Sequence, residues 1–294
     1  MLGLQDALRE IGLRDCKAEL LYENKMRSSY LLSGNLPWNC SKAVLKIIGA
    51  SSVNESKFYK EPFLVNFRPK VYFVDKDDRF IVMEYVDRCD EWDKETFKDA
   101  INLMADMHSV YWGEGNVKLP KWIPRIKPVS ETQMRKFYDV IEGNAIDALT
   151  PYIDTLKSGA EKVNRLFDSV LESPLTLVHG DFMYVNMGTS KSGLTLFDWS
   201  EIAIAPAAYE LCYPIEHFDE VFHRQINRDF LISAYILRLK QNGIEIDENK
   251  FKRDYAVTYL YICLFRHILG YMKHNQVQQL MRKVPIVCKM ISNI

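Results

Sequence analysis

A two-lobed α+β architecture, strands first and helices after, is the fold this sequence predicts. Three observations carry it. Strand signals crowd residues 1–87, helical periodicity dominates residues 88–294, and 294 residues with 48% hydrophobic content suffice for a large core divided between two lobes. Residues 1–87 are expected to form the first, strand-rich lobe. Residues 88–294 are expected to form the second, helical lobe.

In the first lobe, Cys16–Glu23, Ser28–Ser33 and Ala43–Ile48 read as strands, rich in β-branched and aromatic residues, with turn signals at Ser33–Gly34 and Leu36–Pro37. Lys46 is the single charge in the apolar run Ala43–Ile48. An ammonium group half-buried in a strand needs an anionic partner, because desolvating it alone is costly. Arg79–Asp87 reads as the last strand of the lobe and runs into the polar stretch Asp87–Asp93. Beyond it, Phe97, Ile101, Met104, Ala105, His108 and Trp112 recur at helical spacing, which makes His108 a core histidine. Ile226, Phe230, Ala234 and Leu237 predict a second helix ended by Asn242–Gly243, and Tyr255–Leu269 is apolar nearly all round, so it should be buried on several sides.

The segment from Leu177 to Asn186, Leu-Val-His-Gly-Asp-Phe-Met-Tyr-Val-Asn, followed by Leu196–Phe197–Asp198–Trp199, carries the chemistry. Asp181 is followed five residues later by Asn186, and twelve residues after that by Asp198. Phosphoryl transfer requires donor and acceptor to be held in line and phosphate charge to be neutralised, mostly by magnesium. Magnesium takes hard carboxylate and amide oxygens, which suits Asp198 and Asn186. Asp181 can accept a hydrogen bond from a substrate hydroxyl and take its proton late in the reaction. Leu175–Val178 and Thr195–Phe197 read as strands that deliver these residues, with Gly188 and Ser190–Gly193 as the turn between them.

His-Gly-Asp, four residues, Asn, and then a hydrophobic residue before Asp-Trp resembles the aminoglycoside phosphotransferase and choline kinase family, which has a protein-kinase-like fold. Leu103–Trp112 is similar to that family's Leu-Ala-x-x-His helix end, and its Tyr-Trp tail resembles the ecdysteroid-kinase-like branch. The resemblance implies an ATP (or GTP) and Mg2+ dependent kinase with Asp181 as base and Asn186 and Asp198 as metal ligands, in which residues 1–87 are the nucleotide-binding lobe and residues 88–294 hold the catalytic loop and the substrate site. It makes Lys46 the nucleotide-binding lysine and Glu55, from the family's Glu-x-x-x-Tyr pattern, its helix partner, with Glu61 as competitor. Ser28 and Ser29 would lie in the phosphate-covering loop, which here has no glycine. Glu84, Tyr85 and Val86 would form the hinge that reads the adenine. His179 would orient the loop, and Glu210, where relatives carry Asp-Leu, would support it.

Composition narrows the function classes further. A formal net charge of −1 argues against a general nucleic-acid binder, since phosphate neutralisation needs a basic surface. Six cysteines without a C-x-x-C spacing read as reduced cytoplasmic thiols, and no apolar run reaches membrane-spanning length. Between Asp198 and the helical signal near Tyr209 there is little room for a peptide-docking activation segment, which disfavours a protein kinase. The expected acceptor is a small hydroxylated molecule: an aminoglycoside, amino sugar, aminocyclitol or choline-like metabolite. Tyr213, Glu216, Asp219 and Glu220 are the candidates to contact it. Antibiotic resistance is one use such enzymes serve, and a pseudokinase that binds without turnover is the reading from another class.

Overall fold

Period-two burial along the strands builds the first half of the molecule. The computed structural model describes residues 3–24, 27–49, 53–89, 92–114, 119–143, 147–190, 193–222 and 227–294. Helix α1 (Leu4–Glu10) precedes β1 (Lys17–Glu23), β2 (Ser28–Leu36), β3 (Cys40–Ile47), α2 (Val53–Lys60), β4 (Val71–Val74) and β5 (Phe80–Glu84), and the strands form one antiparallel sheet in the order β1-β2-β3-β5-β4. On β3, Ala43, Leu45 and Ile47 face α1, packed with Leu8, Leu32 and Val82. The alternate residues face α2 and the main core, and Lys46 is among them. The turn expected at Ser33–Gly34 is instead a register irregularity within β2, and the chain reverses at residues 37–39, where Asn39 takes φ 56° after Pro37.

The remainder is mainly helical, so the class is α+β as the sequence predicts. After β6 (Asp87–Arg88) come α3 (Lys94–Val110), α4 (Glu131–Gly143), α5 (Ile153–Val170), β7 (Leu175–Val178), β8 (Met187–Ser190), β9 (Gly193–Leu196), β10 (Ala203–Pro206), α6 (Ala207–Phe222), α7 (Arg228–Gln241) and α8 (Glu248–Ile262). A π-helical stretch, Cys263–Ile268, joins α8 to α9 (Leu269–Lys273), and α10 (Val277–Ile291) ends the chain. Asp93 caps α3 by accepting from the Thr96 N–H at 2.8 Å.

On α7 the buried face is Leu231, Ile232, Tyr235, Ile236 and Leu239, while Leu237 is 58% exposed. Of the expected stripe, Phe230 and Ala234 are half-buried at the edge of that face, with Phe230 packed against the core, Leu237 points outward, and Ile226 lies outside the described residues. Two overlapping i,i+4 series share this helix, and contact with α3 selects one of them. Arg238 grips Asp106 of α3 through two bonds, at 2.6 and 2.8 Å, which fixes that choice.

Two small sheets place the reactive segment. β10 pairs antiparallel with β7, and β8 lies between β6 and β9, so residues 179–186 and 197–202 emerge side by side. Gly188 is a strand residue in β8 rather than part of a turn. A Cβ there would come within 2.4 Å of the Asp87 carbonyl oxygen, so only glycine lets the segment after β5 lie this close. No helix among the described residues is long and apolar enough to cross a membrane, and none of the six cysteines forms a disulfide.

Candidate active site

Lys46 reaches the junction between the sheet and the helical half. It is 7% exposed, and its Nζ lies 2.5 Å from the Glu55 carboxylate on α2 and 2.9 Å from that of Asp198. Glu61 follows the end of α2 and does not share this contact. Burial pushes the Glu55 carboxyl up, with Lys46 opposing it. At Asp198, burial also acts to raise the pKa, but Lys46, then Arg27 and the Ser200 hydroxyl, outweigh it and hold the carboxyl down at about 2.

Asp198 occupies the left-handed region, with φ 65° and ψ 62°. A non-glycine residue there is strained and must be held by its surroundings. The holder is Trp199, fully buried, stacked on Phe58 of α2 at 4.3 Å and donating from Nε1 to the Leu196 carbonyl at 3.0 Å. One indole thus ties the Asp198 turn to the helix that carries Glu55.

Residues 179–186 are braced from beneath. Gly180 takes φ 82°, and a Cβ there would fall 1.9 Å from the Glu201 carbonyl oxygen. Its N–H donates to Glu210 at 2.6 Å, and the other oxygen of that carboxylate lies 2.8 Å from His108 Nε2. His108 Nδ1 in turn lies 2.7 Å from the Tyr235 hydroxyl, so a fully buried polar chain runs from α7 through α3 and α6 to the loop. His179 accepts from the Asp181 N–H at Nδ1 (3.3 Å), which leaves Nε2–H to donate to the Phe197 carbonyl at 3.0 Å. This bonding assigns a neutral tautomer that links the Asp181 loop to the Asp198 strand end.

Asn186 sits at the end of a short 3₁₀ turn and donates through Nδ2 to the Asp181 carbonyl (2.9 Å) and carboxylate (2.8 Å). With both N–H bonds spent on Asp181, the amide oxygen is left as an acceptor for a cation. The Phe197 N–H donates to the Asn186 carbonyl at 3.0 Å, which keeps the Asn186 and Asp198 strand ends adjacent.

Asn186 and Asp198 offer hard oxygens suited to magnesium. Among the described residues, no three His, Cys, Asp or Glu side chains converge to hold a metal by themselves. That donor set fits a metal completed by nucleotide phosphates and water rather than a protein cage.

Ser28 and Ser29 belong to β2, opposite Ile47 and Lys46, and not to a loop. The residue facing the junction is Arg27, whose guanidinium lies 2.8 Å from the Asp198 carboxylate. Sequence reasoning missed it by looking for glycine and serine. A basic residue in a segment expected to face phosphate was the available signal. Asn24 closes this turn by accepting from the Arg27 N–H at 2.9 Å, and residues 25–26 lie outside the described set.

At the expected hinge, Glu84 ends β5, the Lys42 ammonium lies over the Tyr85 ring at 5.0 Å, and Val86 is buried against Gly188. Tyr213 is buried on α6, one turn beyond Tyr209 and Glu210. Glu216, Asp219 and Glu220 lie on the same helix, and their side chains fall outside the described set.

The sequence model of the phosphotransferase enzyme family matches residues 66–238. No curated protein matches the sequence. Among solved structures, the chain is similar to an ethanolamine kinase from Plasmodium vivax (13% identity, TM-score 0.64, covering 100% of this chain and 86% of that one). It is similar to a choline kinase from Streptococcus pneumoniae (13%, 0.64, 99% and 98%). An amicoumacin kinase in complex with AMP-PNP, Ca2+ and Ami is also similar (12%, 0.64, 99% and 94%).

Proposed function

Because the chain belongs to the phosphotransferase enzyme family, we propose that it transfers the γ-phosphate of ATP or GTP, with Mg2+, to a hydroxyl of a small molecule, Asp181 serving as base. The observation that carries this reading is the convergence at one junction of Lys46 on Asp198 (2.9 Å) and Asn186 on Asp181 (2.8 Å). Those four side chains come from three separate parts of the sequence.

Each residue has a task that its surroundings support. Lys46, kept in place by Glu55, presents an ammonium to phosphate oxygens, and Arg27 brings a second cation from the β1–β2 turn. A bound magnesium ion would supply charge neutralisation on those oxygens, held by Asp198 and Asn186. Asn186 also restrains the Asp181 carboxylate, whose remaining lone pairs can accept the acceptor hydroxyl, aim its oxygen and take its proton. His179 and Glu210 fix the loop without entering the chemistry.

The short segment after Asp198 supports a small acceptor. β10 begins at Ala203 and α6 at Ala207, so no stretch long enough to dock a peptide intervenes. The site of action in this reading is the cytoplasm, in line with six cysteines that form no disulfide.

The test is Mg2+-dependent nucleotide consumption across aminoglycosides, amino sugars, choline-like amines and hydroxy acids, with Asp181→Ala alongside. Acceptor-dependent turnover should fall about 10²–10⁴-fold in the variant. Acceptor-dependent turnover that survives Asp181→Ala would remove Asp181 from its role. Nucleotide binding without turnover on any acceptor would favour the pseudokinase reading.

A further inference from the structure

One charged side chain in the cleft has no part in this chemistry. Arg266 sits in the π-helical stretch Cys263–Ile268, inside a rod whose neighbours Cys263, Leu264 and Ile268 are fully buried. π-Helical turns widen the helix locally and recur at functional sites. Here the turn puts a guanidinium where a regular apolar helix would present core.

The surroundings of Arg266 are aromatic. Its Cζ lies 4.6 Å from the Tyr213 ring centroid, and its Nη1 donates to the Tyr209 hydroxyl at 3.3 Å. Both tyrosines are buried on α6, while Arg266 itself is exposed, so the group is crowded by protein on one side and open on the other. That combination describes a solvent-facing guanidinium backed by aromatic rings. Tyr209 precedes Glu210, whose carboxylate holds the Gly180 N–H at 2.6 Å, so the guanidinium lies at the end of α6 that braces the Asp181 loop.

No carboxylate lies within ion-pair distance of Arg266 among the described residues, although Glu201 is near enough to act on it electrostatically. A guanidinium has five N–H donors in a planar fork, and among the described residues one of them is occupied. Backed by two rings and without a counter-ion among the described residues, it is prepared for a planar or tetrahedral oxyanion. It also opposes a quaternary or primary ammonium at the same place. Residues 206–294 carry 12 Lys and Arg against 9 Asp and Glu, so the helical half is no general acceptor for polycations.

We propose that Arg266, seated on Tyr213 and Tyr209, is a specificity-determining residue that binds a carboxylate or phosphate group of the acceptor, so that the substrate is a hydroxylated anion. The inference rests on the kinase reading for the location of the acceptor, but its test does not depend on turnover.

Isothermal titration of the full chain loaded with AMP-PNP and Mg2+ compares a size-matched set that differs in charge: glycerate, glycerol and 3-amino-1,2-propanediol, with malonate as a hydroxyl-free oxyanion. Glycerate and malonate should bind at least about tenfold more tightly than the neutral and cationic members, the scale of one charge-assisted hydrogen bond. Arg266→Gln should remove that advantage, and Arg266→Lys should restore part of it. Preference for the cationic or neutral member, unchanged anion affinity in Arg266→Gln, or no anion binding at all would overturn the proposal. The comparison across charges on the unmodified protein can still overturn the proposal if a variant fails to fold. Kinase activity is read separately through Asp181→Ala, so either reading can fall while the other stands.

Discussion

Two cations of the molecule, Lys46 and Arg266, are held in opposite ways. Lys46 is buried and in contact with two carboxylates, Glu55 at 2.5 Å and Asp198 at 2.9 Å. Arg266 is exposed, contacts no carboxylate among the described residues and leans on Tyr213 and Tyr209. A buried ammonium cannot do without counter-charges, and those counter-charges fix its position before any ligand arrives. A guanidinium supported by ring faces keeps its hydrogen-bonding fork available. The first arrangement suits a nucleotide site that must bind the same phosphates at every turnover. The second suits an acceptor site whose chemistry differs from one relative to the next.

The comparison breaks most severely if the Lys46 side loses its anchor. Trp199 is fully buried between Phe58 at 4.3 Å and His179 at 4.6 Å. Trp199→Ala should cost about 3–5 kcal/mol in urea unfolding, the usual range for a core aromatic truncated to alanine. Turnover measured well below the unfolding midpoint should fall as well, because the strained Asp198 backbone loses its support. Unchanged turnover would mean that ion pairs alone hold Asp198.

Glu210 gives the next effect and sharpens the contrast between bonds and charge. Glu210→Ala strands the Gly180 N–H and one nitrogen of His108, at about 1–3 kcal/mol for a buried polar group left without its partner. Glu210→Gln can still accept from Gly180, and its amide can donate to His108 if the imidazole changes tautomer. Unfolding energies and kcat for the two variants separate them: Gln should recover most of what Ala loses. If Gln is as damaging as Ala, the buried charge itself is required.

Much of the site is legible in the sequence where residue type and position are in conflict. Lys46 stands alone in an apolar strand, and Asp181, Asn186 and Asp198 keep a spacing that turn formation does not require, so each announces a partner. Arg266 carries the same kind of signal, a lone arginine in the apolar run Tyr255–Leu269, yet the run reads simply as buried helix. Its partners, Tyr209 and Tyr213, lie more than fifty residues away, and a π-helical turn leaves no period in the sequence. The α7 face is ambiguous because local periodicity offers two stripes and only the Asp106–Arg238 contact with α3 chooses between them. On the phosphate side, the missing glycine misleads, and the information lies in Arg27.

Acid should act on the Lys46 side through Asp198. Its pKa of about 2 in the folded chain lies below the ordinary 3.8, so the stabilisation it supplies is fully present above pH 3.8 and is lost as pH falls through about 2. The shift corresponds to ~2 kcal/mol. Glu55 is pushed the other way by burial and contributes with opposite sign, being relieved as acid protonates it. Urea unfolding of the protein and of Asp198→Asn at pH 6, 4 and 3 isolates the aspartate. The gap between them should hold from pH 6 to 4 and narrow by pH 3; a gap already closing between pH 6 and 4 would place the titration on another group.

The smallest effect is expected at Arg27, and it tests how far the nucleotide side is made before binding. Arg27 shares Asp198 with Lys46, but its side chain is 25% exposed against 8% for Lys46, so solvent weakens its hold. Arg27→Gln should therefore leave unfolding energy within about 0.5 kcal/mol of the original, as for a surface substitution. Its consequence lies in binding. Removing one partly buried cation from the phosphate side, worth about 1 kcal/mol, should raise the KM for ATP roughly fivefold and leave the KM for the acceptor alone. Steady-state kinetics with each substrate varied in turn reads this directly. A change confined to the acceptor KM would put Arg27 with Arg266 and dissolve the division between the two sides of the cleft, whereas a selective rise for ATP would extend the Lys46 arrangement onto the β1–β2 turn, where a side-chain charge does the work that backbone amides do in glycine-rich loops.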